Sequence, residues 1–298
     1  MSKALHSKNK HRNGYSFHDL VKAYPPLRAY VRDNGHGQPG IDFSDAAAVK
    51  VFNAALLKKD YGISHWDIPQ GALCPPIPGR VDYIHYVANL PELVKKASAV
   101  TLLDIGTGAS LIYPLLAASA YGWNCTASDI SEASLANCST ILEGNPELQK
   151  NITLRLQSDR HAMFSGIIRS GEYYDVTVCN PPFHASPEEA RSGSIRKEAN
   201  LARSRGEKVN AADATLNFGG MENELWCNGG EALFLKKMIK ESKQFASQVG
   251  WFTSLVSKAE NLKPLKKLLN KSGATDVREI EMTQGKKITR ILAWTFGE

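Results

Sequence analysis

The apolar positions of the chain have a helical period up to about residue 95. Apolar side chains recur at helical spacing between Phe43 and Tyr61, and Ser44 precedes them as a candidate N-cap. A proline-rich joint at residues 74–79 follows, and residues 81–87 show the helical pattern again. We therefore predict a small helical module over residues 41–95.

From residue 96 onwards, strand-like apolar runs alternate with helical segments. The predicted strands are Val100–Leu103, Asn124–Ser128, Ile152–Leu156, Tyr174–Cys179, Val249–Val256, Val277–Met282 and Ile288–Thr295. The predicted helices are Ser110–Ala120, Glu132–Leu142 with Ser131 as its cap, Glu231–Ala246 and Asn261–Asn270. This alternation predicts an α/β domain over residues 96–298 with a mostly parallel, doubly wound sheet. The last two strands have no helix between them, so they should form an antiparallel hairpin at one edge.

Two basic segments lie outside this pattern. Residues 1–40 begin with twelve residues that contain no acid, and we expect a mobile basic arm there. A polar insertion at residues 186–217 follows the fourth strand, where a loop of this length is usually functional or disordered. The candidate contacts to a nucleic acid are Lys8, Lys10 and Arg12 in the arm, and Arg191, Arg196, Lys197, Arg203 and Arg205 in the insertion. A disordered terminus and a solvated loop explain the two segments equally well.

Composition and charge narrow the class of protein. The 298 residues are 43% hydrophobic and 22% charged, which is typical of a globular protein. A net charge of +6 permits a polyanionic partner without requiring one. The five cysteines are scattered and form no CxxC pair, so we expect a reducing cytoplasmic location and no metal site. The longest apolar stretch, residues 111–123, is too short to span a bilayer, so we expect no membrane association.

A glycine-rich loop follows the first strand of the predicted sheet. Asp104-Ile105-Gly106-Thr107-Gly108-Ala109-Ser110 leads into a helix, and glycines there allow a ligand to approach the backbone closely. A dinucleotide fingerprint would need a third glycine at the position of Leu111, which disfavours a dehydrogenase.

Polar residues also follow the next three strands. Asp129, Asp159 and Asn180 come directly after them, and ligands of open α/β sheets bind at the carboxyl ends of the strands. A single Asp at such a place is more often a helix cap or turn residue. Together with Asp104 and the glycines, however, these residues predict one binding crevice, in which Asp129 could accept hydrogen bonds from a ribose diol.

The fourth strand ends in Asn180-Pro181-Pro182-Phe183. Each proline fixes its own φ and holds the preceding residue in extended geometry. The asparagine offers a side-chain carbonyl, Pro181 offers a backbone carbonyl, and Phe183 offers a flat face for stacking. The turn is therefore suited to hold a planar NH2 group.

These motifs resemble those of the class I S-adenosylmethionine-dependent methyltransferases, whose amino-methyltransferases carry an Asn-Pro-Pro-aromatic fourth motif. Further segments are similar to one family, which contains the bacterial F-type 23S rRNA adenine-N6 methyltransferases and human methyltransferase-like protein 16. Those segments are residues 80–87, 104–110 with 113–116, 219–224 and 292–296. The resemblance runs from about residue 43 to the C-terminus, and the bacterial branch is the better match because no counterpart of the human protein's extra domains is visible.

The resemblance implies a Rossmann-like seven-stranded sheet and transfer of a methyl group from S-adenosylmethionine to an adenine N6. For the bacterial branch the target is adenine 1618 of 23S rRNA, either naked or in a large-subunit assembly intermediate. The implied catalytic residues are Asn180, Pro181, Pro182 and Phe183. The implied cofactor-binding residues are Arg80, Asp104, Gly106, Thr107, Gly108, Ser110, Asp129, Asp159 and Asn180, with Arg80 on the methionyl carboxylate and Asp159 near the adenine ring. We expect a monomer.

Three other functions remain open at this point. The same turn serves protein glutamine methyltransferases and DNA amino-methyltransferases, since both act on a planar NH2 group. A non-catalytic RNA-binding relative is the third, although such a protein has no need of acceptors for an amino group.

Overall fold

The computed structural model describes residues 5–35, 37–96, 98–184, 186, 189, 226–284 and 287–297. All five basic residues proposed as RNA contacts in the insertion lie outside the described residues, namely Arg191, Arg196, Lys197, Arg203 and Arg205.

A seven-stranded sheet forms the centre of the protein. Its strands, numbered in chain order, are β1 Thr101–Ile105, β2 Asn124–Asp129, β3 Ile152–Leu156, β4 Tyr174–Cys179, β5 Val249–Val256, β6 Asp276–Gln284 and β7 Lys287–Thr295. They lie in the order β3-β2-β1-β4-β5-β7-β6. The strands from β1 to β5 pair in parallel, and β7 runs antiparallel to both β5 and β6. The predicted α/β class, the mostly parallel sheet and the terminal hairpin are confirmed.

Helices cover both faces of this sheet. They are α1 Phe17–Ala23, α2 Ala46–Tyr61, α3 Ile77–Val87, α4 Pro91–Lys95, α5 Ile112–Tyr121, α6 Glu132–Glu143, α7 Pro146–Gln149, α8 Gly230–Ser242 and α9 Leu262–Ser272. Short 3-10 helices lie at Pro25–Tyr30, Lys243–Phe245 and Ala259–Asn261, and Arg32–Asp33 pairs with Pro39–Gly40. Among the described residues, none of the helices is both long and apolar enough to cross a bilayer.

Two helix starts differ from the sequence-based expectation. Asp45 rather than Ser44 caps α2, since its Oδ1 accepts hydrogen bonds from the amides of Ala47 and Ala48 at 2.9 and 3.3 Å. The second difference is at α3, which begins at Ile77, within the predicted proline joint. Pro78 is compatible with the first turn because the amides there have no intrahelical partner. The Ser131 cap of α6 is confirmed by a 3.1 Å bond from the Ser134 amide.

The helical module packs directly against one face of the sheet. Val81 and Ile84 of α3 are fully buried in the same hydrophobic cluster as Leu102 of β1 and Leu115 of α5. On the opposite face a second cluster joins α8 and α9 to β5 and β7. This packing places α3 beside the carboxyl ends of the central strands.

Residues 5–12 differ from the mobile arm that the sequence suggested. The amide of His6 donates to the Asp82 carboxylate at 3.1 Å, and the Asn9 side chain donates to Asp82 and to the Pro78 carbonyl. His6, Asn9 and His11 are buried, and burial lowers the pKa of His11 to about 4. Because a buried carboxylate needs donors, Asp82 of α3 holds this part of the arm in place. The division at residues 40 and 95 stays a prediction.

Candidate active site

A cavity of about 660 Å³ lies at the carboxyl ends of β1, β2 and β4. Most of the residues that the sequence nominated line it, and those are Arg80, Gly106, Thr107, Gly108, Ser110, Asp129, Asn180 and Pro182. Asp104, Asp159, Pro181 and Phe183 do not line it. The structure therefore brings one crevice together from α3, the glycine loop, the end of β2 and the turn after β4.

The glycine loop turns sharply between β1 and α5. Gly106 and Gly108 have φ values of 71° and 64°, a region that favours glycine. The amides of Gly106 and Thr107 both donate to the Ser128 carbonyl at 2.9 Å, which fixes the loop against β2. A Cβ at Gly106 would meet no atom within 4 Å, so a ligand can approach this backbone closely.

Leu111 occupies the position where a dinucleotide-binding loop would carry its third glycine. Its φ is 53°, and it is the only non-glycine residue with positive φ in the part of the chain that the structure describes. The side chain is fully buried in the core beneath α5. Packing therefore offsets a backbone strain that glycine would avoid.

Asp129 is held in a fixed orientation by backbone amides on both sides. Its Oδ2 accepts from the Gly108 amide at 2.8 Å and its Oδ1 accepts from the Ser131 amide at 2.9 Å. The carboxylate thus ties the glycine loop to the start of α6. A carboxylate fixed in this way at the end of the second strand is suited to bind a ribose diol, as the sequence predicts.

Arg80 reaches the cavity from the first turns of α3. Its Nη1 donates to the Tyr113 hydroxyl at 2.8 Å, and its guanidinium lies 5.7 Å from the centre of the Tyr113 ring. Burial raises the pKa of Tyr113 to about 12, so the hydroxyl stays neutral and can accept this bond. Tyr113 was not nominated from the sequence as a site residue, although it belongs to a segment that carries the family resemblance.

Asp104 lies behind the glycine loop and is fully buried. Neither carboxylate oxygen has a hydrogen-bond partner among the described residues. Burial raises the pKa of Asp104 to about 7; the nearby Thr107 hydroxyl and the charge of Arg80 oppose the rise, and the charge of Asp129 adds to it. Asp104 therefore does not line the cavity, and a contact between it and a ligand stays a prediction.

Asp159 is exposed and lies outside the cavity wall. Its carboxylate accepts from the His161 amide at 2.8 Å, and its own amide donates to the Gln157 side chain at 3.0 Å. Gln157, Arg160 and His161 line the cavity instead. Spacing alone could not show this, because the loop after β3 folds back on the side chain of Gln157.

The turn after β4 contains a buried side-chain carbonyl oxygen, that of Asn180. The Oδ1 of Asn180 is buried and has no hydrogen-bond partner among the residues that the structure describes. Pro181 is buried, and Pro182 and Phe183 are half-buried. A buried carbonyl oxygen without a donor is costly unless a ligand supplies one. The turn therefore has an acceptor available for an incoming N–H group.

The chain leaves the turn and returns beside it. His184 forms a parallel bridge with Trp226, and the Cys227 amide donates to the His184 carbonyl at 3.1 Å. Trp226 and, on α8, Phe234 and Lys237 consequently line the cavity. No sequence pattern indicates these three residues, because a long polar segment separates them from the turn. The chain thus leaves the turn at His184 and returns beside it at Trp226, which lines this cavity.

The described residues show no group of three or more His, Cys, Asp or Glu side chains placed to hold a metal ion. What they do bring together is an arginine, a backbone loop open to a ligand, a fixed carboxylate and an unpaired amide carbonyl. These groups can bind a polar cofactor and hold an amino group beside it.

Comparisons with known proteins agree with this geometry. A family model described as RNA methyltransferase matches residues 1–298. The chain is 57% identical to a ribosomal RNA large subunit methyltransferase F of Saccharophagus degradans, over 99% of this chain and 96% of the relative. It is 54% identical to a protein of the same name from a Shewanella species, over 99% of this chain and 82% of the relative.

Solved structures give the same result. The human METTL16 catalytic domain in complex with a MAT2A 3′UTR hairpin superposes with a TM-score of 0.81 at 31% identity, covering 99% of this chain and 96% of that one. The N-terminal domain of human METTL16 in complex with SAH has a TM-score of 0.78 at 28% identity, covering 99% of this chain and 100% of that one. With a family model over the full chain and relatives above 50% identity, the protein belongs to the RNA methyltransferase family that these proteins represent.

Proposed function

We propose that this protein transfers the methyl group of S-adenosylmethionine to the N6 amino group of one adenine in 23S rRNA, by resemblance adenine 1618. The observation that carries the proposal is the buried, unpaired Oδ1 of Asn180 in the wall of the cavity. An acceptor held between a strand end and two prolines is suited to a planar NH2 group.

The residues present fit the cofactor. The space beside Gly106 allows the cofactor to approach the backbone of the glycine loop. Asp129 can bind the ribose diol of the cofactor, and Arg80 can pair with its methionyl carboxylate. When bound, the cofactor supplies an electrophilic methyl group. The METTL16 structure that contains SAH supports this assignment.

The turn would act by positioning and electrostatics. The N6 lone pair of adenine is delocalised into the ring and is a poor nucleophile. If Asn180 Oδ1 and the Pro181 carbonyl accept the two N6 hydrogens, they orient the nitrogen and favour its tetrahedral geometry as it attacks. Phe183 would stack on the target base, which must be unpaired or flipped out of its helix. The proton is lost to water afterwards.

RNA as the substrate is supported by the family description and by the named relatives. The basic residues of the arm (Lys8, Lys10, Arg12) and of the insertion (Arg191, Arg196, Lys197, Arg203, Arg205) would contact RNA phosphates. In the structure Lys10 Nζ donates to the Asp60 carbonyl and lies 5.2 Å from the centre of the Tyr61 ring, whereas Arg12 is exposed. We propose a monomeric cytoplasmic enzyme that acts on 23S rRNA or on a large-subunit assembly intermediate.

A protein glutamine or DNA adenine methyltransferase would use the same turn. The rRNA methyltransferase relatives and the human structure bound to an RNA hairpin favour RNA over both. A non-catalytic RNA-binding relative is disfavoured, because it would gain nothing from a buried acceptor without a donor.

Replacement of Asn180 tests the mechanism. Asn180→Ala should lower kcat about 100-fold and leave cofactor binding within a few-fold, because it removes an acceptor that acts in the transition state. Asn180→Asp keeps an acceptor oxygen and should retain measurable transfer. Asn151→Ala is the matched control, since this side chain lies at the start of β3 and donates only to Asn124. Transfer by Asn180→Ala at the wild-type rate would refute the mechanism.

A further inference from the structure

The end of β4 loses one of its two neighbours just before the catalytic turn. On the β1 side the pairing continues to Cys179, which lies opposite Ile105. On the β5 side the paired register ends at Thr177, opposite Phe252. Cys179 directly precedes Asn180, and on the β5 side its backbone needs hydrogen-bond partners other than a strand.

Tyr83 of α3 supplies these partners from the helical module. It is fully buried, and its hydroxyl accepts a hydrogen bond from the Cys179 amide at 3.3 Å. The same hydroxyl lies 2.8 Å from the Thr253 Oγ1 of β5. Burial holds the pKa of Tyr83 well above its ordinary value, so the hydroxyl keeps its proton.

The direction of these bonds follows from the proton count. The Thr253 hydroxyl donates its single proton to the Thr177 carbonyl at 2.7 Å. It must therefore accept from Tyr83, whose single proton lies closer to Thr253 Oγ1 at 2.8 Å than to the Cys179 carbonyl at 3.5 Å. The Cys179 amide can only donate, so Tyr83 accepts from it. The result is a directed chain that starts and ends on β4: Cys179 amide, Tyr83 hydroxyl, Thr253 hydroxyl, Thr177 carbonyl.

We infer that Tyr83 is a positioning residue for methyl transfer, whose hydroxyl fixes the end of β4 and thereby the acceptor of Asn180. The consequence for turnover rests on the proposed function. Arg80 lies one turn earlier on the same helix, and the rings of Tyr83 and Tyr113 meet edge to face at 5.3 Å. A single helix thus places both the candidate carboxylate-binding arginine and the support of the catalytic turn.

Tyr83→Phe removes the hydroxyl and keeps the ring. We expect kcat on the RNA substrate to fall about tenfold, with the dissociation constants for S-adenosylhomocysteine and RNA within twofold of wild type. Thr253→Val breaks the same chain at its next member and should reproduce the loss. The double variant should be no slower than either single variant, because both remove the same chain.

Tyr174→Phe is the matched control. Tyr174 is a second buried tyrosine near the start of β4, and its hydroxyl donates to the Thr126 Oγ1 at 3.0 Å. This variant also loses a buried hydrogen bond, so its melting temperature should fall by an amount similar to that of Tyr83→Phe. Its kcat should stay at the wild-type value, because Tyr174 lies at the far end of the strand.

Hydrogen–deuterium exchange gives a readout that does not depend on the substrate. The Cys179 amide should exchange faster in Tyr83→Phe and in Thr253→Val than in wild type or in Tyr174→Phe. Exchange at the wild-type rate would contradict the inference, whether or not the protein methylates RNA. A kcat in Tyr83→Phe equal to that of Tyr174→Phe would also contradict the inference about Tyr83. It would not contradict the proposed function, which is tested by methyl transfer with the wild-type protein.

Discussion

At the scale of single residues, the members of the candidate site differ in how far they are buried behind the cavity wall. Arg80, Asp129 and Asn180 follow from motif and strand-end position, and all three line the cavity. Asp104 is equally prominent in the motif, yet it is fully buried behind the loop. Sequence position fixes which strand end a side chain occupies, whereas the path of the neighbouring loop decides whether it reaches the cavity.

The burial of Asp104 predicts a pH-dependent cost to folding. Its pKa is raised from an ordinary value of 3.8 to about 7, so the carboxyl destabilises the folded protein progressively as the pH rises through that window. Asp104→Asn should therefore be more stabilising at pH 8 than at pH 5, with a difference on the order of 2 kcal/mol in the free energy of unfolding.

Urea unfolding of the cofactor-free protein at the two pH values measures this difference. Asp67→Asn serves as the control, because Asp67 is an exposed carboxylate that pairs with Lys50. A stability gain for Asp104→Asn that is equal at pH 5 and pH 8 would mean that the buried carboxyl is not the cause.

At the scale of elements, the strands are the most predictable part of the molecule. The bounds of β3, β4 and β5 match the predicted ranges, because β-branched and apolar residues dominate each strand and polar turn residues bound it. Helix starts and the arm are less predictable. The start of α3 depends on prolines that also occur in loops. The docking of residues 5–12 depends on Asp82, a tertiary partner 76 positions away from His6.

Asp82 should anchor the N-terminal arm. Asp82→Ala removes the acceptor for the His6 amide and the Asn9 side chain, so the arm should detach while the sheet stays folded. Limited trypsin digestion followed by mass spectrometry should show cleavage after Lys8, Lys10 and Arg12 at least several-fold faster than in wild type. Asp67→Ala should cleave at the wild-type rate, and an arm equally resistant in Asp82→Ala would argue against this anchor.

At the scale of the whole molecule, the strand order and the two helical layers place the cavity and the Asn180–Phe183 turn at the carboxyl ends of the central strands. The alternating pattern of the sequence predicts this architecture, since parallel strands require helical crossovers. It could not predict that His184 and Trp226 meet beside each other after the turn. That contact joins segments separated by more than forty residues.

The insertion should contribute to RNA affinity through its charges. Replacing Arg191, Arg196, Arg203 and Arg205 with Gln should weaken binding of an rRNA fragment and reduce the slope of log affinity against log salt by about one per lost phosphate contact. Fluorescence anisotropy between about 50 and 200 mM salt measures that slope. The matched control replaces four lysines of α9 instead, Lys263, Lys266, Lys267 and Lys271, and should leave the slope unchanged. Equal slopes in both variants would exclude a specific role for the insertion.

The central claim is tested most directly by methyl transfer to rRNA from cells that lack this protein. Purified protein is incubated with that rRNA and labelled S-adenosylmethionine, and the product is digested and analysed by nucleoside mass spectrometry. We expect N6-methyladenosine at a single site in 23S rRNA. Label in another nucleoside, or in protein or DNA with none in 23S rRNA, would contradict the account.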